Sequence, residues 1–245
     1  MSPIIYDGDE SAVVPDLPDE PTIWSDSGLN SAETARLREL TAELSSRPIE
    51  ALRIYEPLPI QDEYHRCRSS ITLLRGGNRS GKSIAGYVEV ARAATQQDPY
   101  GKYPTDRPLL IYLIGYDLDH IGRVMHRMLF RFGAFRMIRD LGTGEWRAFR
   151  PVQDVDREQD SSSAPPLIPP RFIEQIGYVN KPQRQWAICR LHNGTEIRAF
   201  SSRSEPAMGD PVDFVDVDED LYLEEWVPEM LSRLSDRKGV FKWHA

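Results

Sequence analysis

The sequence predicts an α/β fold in which a mostly parallel sheet is covered by helices. Apolar segments of strand length alternate along the chain with segments that have a helical pattern. A glycine-rich stretch, "GGNRSGKS" at 76–83, separates the first of these strands from the first helix. A later apolar strand, "VDFVDVDED" at 212–220, ends in consecutive acidic residues. Strands that are apolar throughout are typical of a parallel sheet buried on both faces.

The composition is that of an ordinary soluble globular protein, with 245 residues, 40 % hydrophobic and 28 % charged. No apolar run approaches the roughly 20 residues needed to span a bilayer, and the first ten residues lack the features of a signal peptide. Cys67 and Cys189 are too few for a disulfide framework, which favours a reducing cytosol. We therefore expect a protein without a membrane partner.

The net charge of −8 belongs to the N-terminal arm, residues 1–50, which hold eleven acidic and three basic residues. The remainder, residues 51–245, holds 27 of each, so the acidity does not argue against a nucleic-acid partner. Residues 1–29 are rich in Pro, Asp, Glu and Ser and are predicted to be disordered. Residues 31–47 are predicted to form a helix, with a capping box at Asn30 and Glu33 and an apolar face of Leu37, Leu40 and Leu44. This helix is either an appendage or a partner-binding segment.

The elements of the body follow from apolar periodicity and turn residues. Asp117 is a predicted helix cap, Asn193–Gly194 a predicted hairpin turn, and Pro228 a kink or boundary. Residues from about 140 to 182 show low regularity and are predicted to be an insertion or loop region. In chain order we predict a strand at 70–77, a helix at 81–97, a strand at 108–116, a helix at 117–132, a hairpin at 184–200, a strand at 212–217, a helix at 221–237 and a strand from 239.

The stretch at 76–83 has the pattern G-x-x-x-x-G-K-[ST], the phosphate-binding (Walker A) loop, and has the strand before it and the helix after it that this loop requires. Glycines let successive backbone N–H groups point at phosphate oxygens, and the helix N-terminus favours the same anion. Lys82 is expected to reach the β- and γ-phosphates, and the Ser83 hydroxyl to bind Mg²⁺. The alternative interpretation is a glycine-rich turn with a chance lysine.

The acidic strand end at 218–219 adds a second motif (Walker B). Asp218 is expected to hold Mg²⁺ through water, and Glu219 to polarise the attacking water. Such a water-activating Glu is typical of NTPases that drive mechanical work, so the predicted fold class becomes an ASCE-type P-loop NTPase. The alternative is an acidic helix start after a buried strand. The 134 positions between Ser83 and Asp218 leave room for extra strands between the two motif strands.

At this point the sequence resembles the ATPase domain of phage large terminases, the motors that pump DNA into empty capsids. The resemblance runs from about 57 to 245 and lies in the order of its segments: "PIQDEYHRC" at 59–67, "GGNRSGKS", "YLIGYDLDHIGRVM", "NGTEIRAFSSRSEPAMGDPVDFVDVDED" and "GVFKWHA". The last of these resembles the approach to the family's coupling motif. Residues 1–50 match nothing in the family, and its RNase H-like nuclease domain is absent from the chain, so no DNA cleavage is expected from it.

The resemblance implies site residues one by one. Glu219 becomes the catalytic base and Asp218, with Ser83, the metal ligand. Lys82 and Arg79 become catalytic contacts of the phosphates, and Gln61 takes the place of the family's adenine-side glutamine. Arg79 resembles a loop arginine that senses the γ-phosphate, or else pairs with a nearby acid on the surface. The implied nucleotide-binding set is Gln61, Gly76, Gly77, Asn78, Arg79, Ser80, Gly81, Lys82 and Ser83.

The resemblance also implies ATP and Mg²⁺ as cofactors. The implied partners are double-stranded DNA, a portal protein, a small terminase subunit and further copies of the chain in a ring on the portal. The implied location is the host cytoplasm, with transient docking on the viral procapsid. Two other functions stay open: a helicase- or translocase-type ATPase core, and a nucleotide-binding module without hydrolysis. A helicase normally carries a second motor domain, and mere binding does not need Glu219.

Other arginines and the tryptophans leave alternatives open. Arg203 is either a finger for a neighbouring subunit or a plain loop residue. Three arginines spaced by four either track DNA phosphates or form a solvated helix face: Arg123, Arg127 and Arg131. Three tryptophans are predicted to lie in the core or an interface: Trp186, Trp226 and Trp243.

Overall fold

The computed structural model describes residues 30–77, 80–206 and 209–245. The prediction of disorder for residues 1–29, and those made for Asn78 and Arg79, lie outside these ranges. Among the described residues, no helix has the length and apolar character needed to cross a membrane.

Within the described ranges, ten strands form two sheets. In chain order they are β1 (Ile71–Leu74), β2 (Leu110–Gly115), β3 (Arg136–Arg139), β4 (Trp146–Ala148), β5 (Ser162–Ser163), β6 (Ile173–Asn180), β7 (Gln185–Leu191), β8 (Glu196–Ser201), β9 (Phe214–Asp218) and β10 (Val240–His244). The main sheet has the order β1-β10-β9-β2-β8-β7-β6. The first five of these strands pair in parallel, and β7 and β6 add an antiparallel edge. The predicted α/β fold with a mostly parallel sheet is confirmed.

The helices in chain order are α1 (Ser31–Ser46), α2 (Ala51–Ile54), α3 (Pro59–Arg66), α4 (Lys82–Thr95), α5 (Leu118–His120), α6 (His126–Phe130) and α7 (Trp226–Ser235). A π-helical turn, Ile121–Met125, joins α5 to α6, and we call the continuous stretch the 118–130 segment. Short 3₁₀ segments lie at Arg47–Ile49, Val155–Asp160 and Pro170–Phe172, and the second is interrupted by a kink at Arg157.

The core lies on both faces of the sheet, and β2 shows how. Ile111 and Leu113 pack into the cluster beneath α4 and the 118–130 segment. The alternate residues Tyr112 and Ile114 pack with α7 on the other face. Because side chains alternate across a strand, an all-apolar strand requires apolar cover on both sides. The three-layer arrangement thus follows from the composition of the strands.

Several local predictions are confirmed. The Asn30 side chain accepts from the N–H of Glu33, whose carboxylate accepts from the N–H of Asn30, so the capping box is present. The Asp117 carboxylate caps the 118–130 segment. Asn193 and Gly194 lie in the turn between the antiparallel strands β7 and β8. On α1, two of the three leucines of the predicted apolar face, Leu40 and Leu44, are exposed.

Two element predictions differ from the structure in extent or regularity. The stretch from 140 to 182 has regular structure: β3, β4 and β5 form a small antiparallel sheet, and the eight-residue β6 extends the main sheet. Three register shifts in the β6–β7 pairing interrupt the alternation that would have marked this strand. The helix predicted at 221–237 begins only at Trp226, and Pro228 lies in its first turn, where a missing N–H costs no helical hydrogen bond.

The strand that separates the two motif strands also has an unexpected origin. β10 lies between β1 and β9 and pairs in parallel with both. β10 comes from residues 240–244, which follow both motifs in the sequence. The 134 positions between Ser83 and Asp218, which leave room for such a strand, do not contribute it. This strand therefore links the glycine-rich loop to the acidic strand end.

Candidate functional site

The glycine-rich loop joins β1 to the N-terminus of α4. Gly81 is the residue before the helix and has φ +83°, a left-handed conformation that favours glycine. A Cβ on Gly81 would lie 2.5 Å from Nε2 of Gln61, so the close approach of that side chain also requires glycine. Position 81 thus requires glycine for two reasons, its backbone conformation and the close contact with Gln61.

The Lys82 ammonium lies over the loop that precedes it. Its Nζ donates hydrogen bonds to the carbonyl oxygens of Gly76, at 2.7 Å, and Gly77, at 2.9 Å. The N–H of Ser80 donates to the Gly77 carbonyl at 3.3 Å and tightens the loop. The cation therefore stands where the loop backbone and the start of α4 would receive an anion.

The Gln61 side chain is buried, and both ends of its amide bond to the protein. Nε2 donates to the Gly81 carbonyl at 2.8 Å, while Oε1 accepts from the Leu58 N–H at 2.7 Å and from the Tyr55 hydroxyl at 3.1 Å. The structure thus brings Gln61 against the loop and ties α3 to the start of α4.

The two sequence motifs meet at Ser83 and Asp218. The Ser83 hydroxyl lies 3.4 Å from Oδ1 of Asp218, although their residue numbers differ by 135. The parallel strands β1 and β9 both end at this edge of the sheet, where ligands of open α/β sheets bind. The arrangement joins a hydroxyl and a carboxylate, which are ligands that Mg²⁺ accepts.

Three side chains hold the Asp218 carboxylate. The Tyr87 hydroxyl of α4 donates to Oδ2, which also lies 2.7 Å from Nε2 of His120. Nδ1 of His244 lies 2.9 Å from Oδ1, an ion-pair contact without hydrogen-bond alignment. Burial would raise the pKa of Asp218, but the imidazoles of His244 and His120 outweigh it and hold this pKa far below its usual value. Asp218 is therefore a buried carboxylate kept ionised by its neighbours.

His244, at the end of β10, is fully buried between two aspartates. Its Nε2 bonds to Oδ2 of Asp216 at 2.9 Å, and its Nδ1 faces Asp218. Burial alone would lower the pKa of His244, but the two carboxylates raise it to about 10. Burial raises the pKa of Asp216 itself. The imidazole thus supplies positive charge between carboxylates that would otherwise repel each other.

Glu219 points away from the core, unlike its neighbour. Its side chain is 63 % exposed, whereas that of Asp218 is 1 % exposed. Glu219 has φ +68°, which is uncommon for a residue with a Cβ. Its N–H donates to the His244 carbonyl at 3.0 Å, and its carbonyl accepts from the Trp243 indole at 2.7 Å. The end of β10 thus holds the turn that directs this carboxylate toward solvent.

A second cluster of buried charges lies below the site, on α4. The fully buried Glu89 carboxylate lies 2.7 Å from Nδ1 of His65 and 3.1 Å from Nζ of Lys242, and it also pairs with Lys102. Burial would raise the pKa of Glu89, but these partners lower it far below its usual value. The cluster ties α4 to α3 and to β10.

Arg79 lies outside the described residues, and the remaining candidates, Arg203 and the tryptophans, have partners or packing within the chain. Arg203 is held in its own chain: its guanidinium stacks on the rings of Tyr116 and Tyr222, at 4.7 and 5.0 Å from their centroids, and donates to the Tyr116 hydroxyl. Trp186 and Trp226 are buried as predicted, whereas Trp243 is half-buried and contacts Glu219.

The arginines spaced by four do not share one helix face. A π-helical turn at Ile121–Met125 changes the helical register, and the helix ends at Phe130, before Arg131. Arg123 is exposed and pairs with Asp119 at 2.7 Å. The prediction that all three arginines lie on one helix face is therefore wrong, although Arg123 and Arg127 are both exposed to solvent.

Sequence reasoning missed the residues that surround Asp218: Tyr87, His120, Asp216 and His244. Asp216 gave a signal, because a second acidic residue inside a fully apolar strand requires a buried partner. The partners themselves come from distant segments and carry no local pattern. Only the folded sheet brings them together.

Ser83, in the first turn of α4, and Asp218, at the end of β9, fit Mg²⁺. Hard oxygen donors are present in Ser83 and Asp218, and Mg²⁺ in nucleotide sites is usually held by one or two protein oxygens, waters and substrate phosphates. Among the described residues, no cluster of three or more His, Cys, Asp or Glu side chains is arranged to hold a metal ion.

Comparisons with known proteins give a likeness of fold. Neither a protein-family model nor a curated protein matches this chain. Among solved structures, the chain is similar to the large terminase ATPase domain of Thermus phage P74-26, with 19 % identity and a TM-score of 0.46. An arginine-to-alanine variant of that domain gives 18 % identity and a TM-score of 0.43. Each alignment covers 79 % of this chain and 66 % of the other, slightly less than two thirds.

Proposed function

We propose that this chain hydrolyses ATP, and that residues 51–245 are the ATPase motor domain of a viral large terminase, preceded by an acidic arm at 1–50. The observation that carries the proposal is the meeting of Ser83 with Asp218, at 3.4 Å, beside the exposed Glu219. A phosphate-binding loop, a metal carboxylate and a water-activating carboxylate are the parts that such hydrolysis needs.

The roles of the residues follow from their places. The loop backbone and Lys82 bind the β- and γ-phosphates, and Ser83 and Asp218 hold Mg²⁺. When bound there, Mg²⁺ would supply positive charge beside the phosphates. Glu219 accepts a proton from the attacking water as the water oxygen bonds to the γ-phosphorus. The bond from that phosphorus to the bridging oxygen breaks, which leaves ADP and phosphate.

The partners proposed for this motor are double-stranded DNA, a portal protein, a small terminase subunit and other copies of the chain in a ring. The work proposed for it is the translocation of DNA into a procapsid, in the cytoplasm of the host. The sequence motifs in the order described above support this assignment over a general helicase core.

The first experiment measures phosphate release from ATP by the wild-type chain, Lys82→Ala and Glu219→Gln, each with Mg²⁺. Lys82→Ala is expected to abolish hydrolysis and weaken nucleotide binding, because it removes the cation at the phosphates. Glu219→Gln is expected to retain Mg-ATP binding while kcat falls by about two orders of magnitude, because an amide cannot accept the proton.

A module that only binds nucleotide would show no difference between Glu219→Gln and the wild type in either measurement, and that result refutes hydrolysis at this site. Stimulation of hydrolysis by double-stranded DNA and procapsids together tests the packaging assignment. Equal stimulation by single-stranded DNA alone would favour the helicase-type alternative.

A further inference from the structure

His120 lies at the junction between the two carboxylates of the site. It belongs to α5, which follows β2, and its own N–H donates to the capping carboxylate of Asp117 at 2.9 Å. β2 pairs directly with β9, so the chain that leaves β2 passes over the end of β9, where Asp218 and Glu219 lie. The backbone of His120 is thus fixed by a cap and by strand pairing.

The imidazole of His120 faces both carboxylates at once. Nε2 lies 2.7 Å from Oδ2 of Asp218, within hydrogen-bond distance. Nδ1 lies 3.8 Å from Oε2 of Glu219, an ion-pair distance. The His120 side chain is 9 % exposed, so the ring is enclosed while the Glu219 carboxylate is largely in solvent. A buried ring therefore stands beside a solvent-exposed carboxylate.

We propose that His120 is a positioning residue that orients the Glu219 carboxylate toward the attacking water while it holds Asp218. This inference rests on the proposed ATP hydrolysis. The backbone of Glu219 is held by Trp243 and His244, but that clamp leaves the rotation of its side chain free. Nδ1 of His120, beside Oε2 of Glu219, limits the rotation of the Glu219 side chain. Binding of the phosphates falls to the loop and Lys82.

The test compares His120→Ala, His120→Gln and the wild type for kcat, KM and nucleotide affinity. Glutamine retains an N–H donor for Asp218 but lacks the nitrogen that faces Glu219. Both variants are expected to lose about 10- to 100-fold in kcat, as second-sphere partners do, with KM and affinity within about twofold of wild type. His192→Gln is the matched control, because His192 is an exposed histidine in the β7–β8 hairpin, and it is expected to change nothing.

A second measurement separates positioning from a general structural role. His120→Gln is combined with Glu219→Gln, and no further loss of kcat beyond that of Glu219→Gln alone is expected, since residues that act as a unit are not additive. Thermal unfolding of each variant shows that it is folded, and His120→Gln keeps the test valid if His120→Ala does not fold.

Wild-type kcat in His120→Gln, or a loss that adds fully to that of Glu219→Gln, would overturn the proposal while ATP hydrolysis at the site still stands. If the wild-type chain itself hydrolyses no ATP, the proposed function fails and this inference falls with it.

Discussion

The His244 ring occupies the space that a side chain on Gly86 would need. A Cβ built on Gly86 would lie 2.2 Å from Nε2 and 2.3 Å from Cδ2 of His244. Gly86 is in the second turn of α4, and His244 ends β10, so their contact sets how closely the helix after the loop approaches the strand that separates the two motifs. Because Gly86 has no side chain, α4 leaves space for the His244 imidazole between Asp216 and Asp218.

Gly86→Ala is therefore expected to destabilise the protein, although the same change in an ordinary helix stabilises by about 1 kcal/mol. The methyl group must displace a fully buried ring, and overpacking of this kind costs about 1–3 kcal/mol. Chemical denaturation measures the effect. The double variant Gly86→Ala with His244→Ala removes the clash, so the cost of the alanine at 86 should largely disappear in that background. An unchanged cost would place its origin elsewhere.

Gln61→Ala is expected to weaken ATP and GTP binding by similar factors. Both ends of the Gln61 amide already bond to Gly81, Leu58 and Tyr55, so its effect on nucleotides should pass through the loop backbone. Titration with both nucleotides gives the ratio of affinities. A selective loss of ATP binding would support instead the base-reading role that the sequence resemblance implies.

Glu89→Ala is expected to destabilise more than Lys242→Met. Loss of the Glu89 carboxylate leaves the buried cations Lys102 and Lys242 without their shared counter-charge, and breaking such a pair costs about 3–5 kcal/mol. Lys242→Met leaves Glu89 its contacts with His65 and Lys102 and fills the same space. Denaturation midpoints of the two variants decide the order, and a less stable Lys242→Met would contradict it.

Acid should destabilise the protein partly through His126. Burial, with a contribution from Arg184 and Arg131, lowers the pKa of His126 to about 4. The unfolded chain therefore binds a proton near the ordinary histidine pKa of about 6.5 while the folded protein does not. Stability that is present above pH 6.5 is thus lost as the pH falls toward 4.

His126→Gln removes this group, and its melting temperature should fall less between pH 7 and pH 4.5 than that of the wild type. His192→Gln, which changes an exposed histidine, should keep the wild-type slope. Identical slopes for the wild type and His126→Gln would show that His126 is protonated equally in both states.

The elements that the sequence predicted best are those with their signals in consecutive residues. The strand and helix around the loop, the cap at Asp117 and the turn at Asn193 each depend on a few neighbouring side chains. β6 was missed because its pairing with β7 contains register shifts, and a strand with irregular pairing has no strict alternation.

The candidate site divides in the same way. Two sequence motifs, which can be recognised from residue spacing alone, contain Lys82, Ser83, Asp218 and Glu219. Tyr87 and His120 reach Asp218 across 131 and 98 positions, and nothing near them in sequence requires that contact. The Gln61 amide likewise points into the protein, toward the Gly81 carbonyl. This direction depends on the packing of α3 against α4, which no local sequence pattern predicts.

The position of β10 fixes the moment at which the site becomes complete during synthesis. A growing chain that has passed Asp218 already contains the loop and both carboxylates, but β1 and β9 do not touch each other, and each pairs with β10. Until residues 240–244 leave the ribosome, β1 has no partner in the sheet, and His244 and Trp243 are not there to hold Asp218 and Glu219. Unfinished chains that carry every motif residue but lack β10 are therefore expected to consume no ATP, and we expect nucleotide to stabilise the fold only after β10 has been inserted.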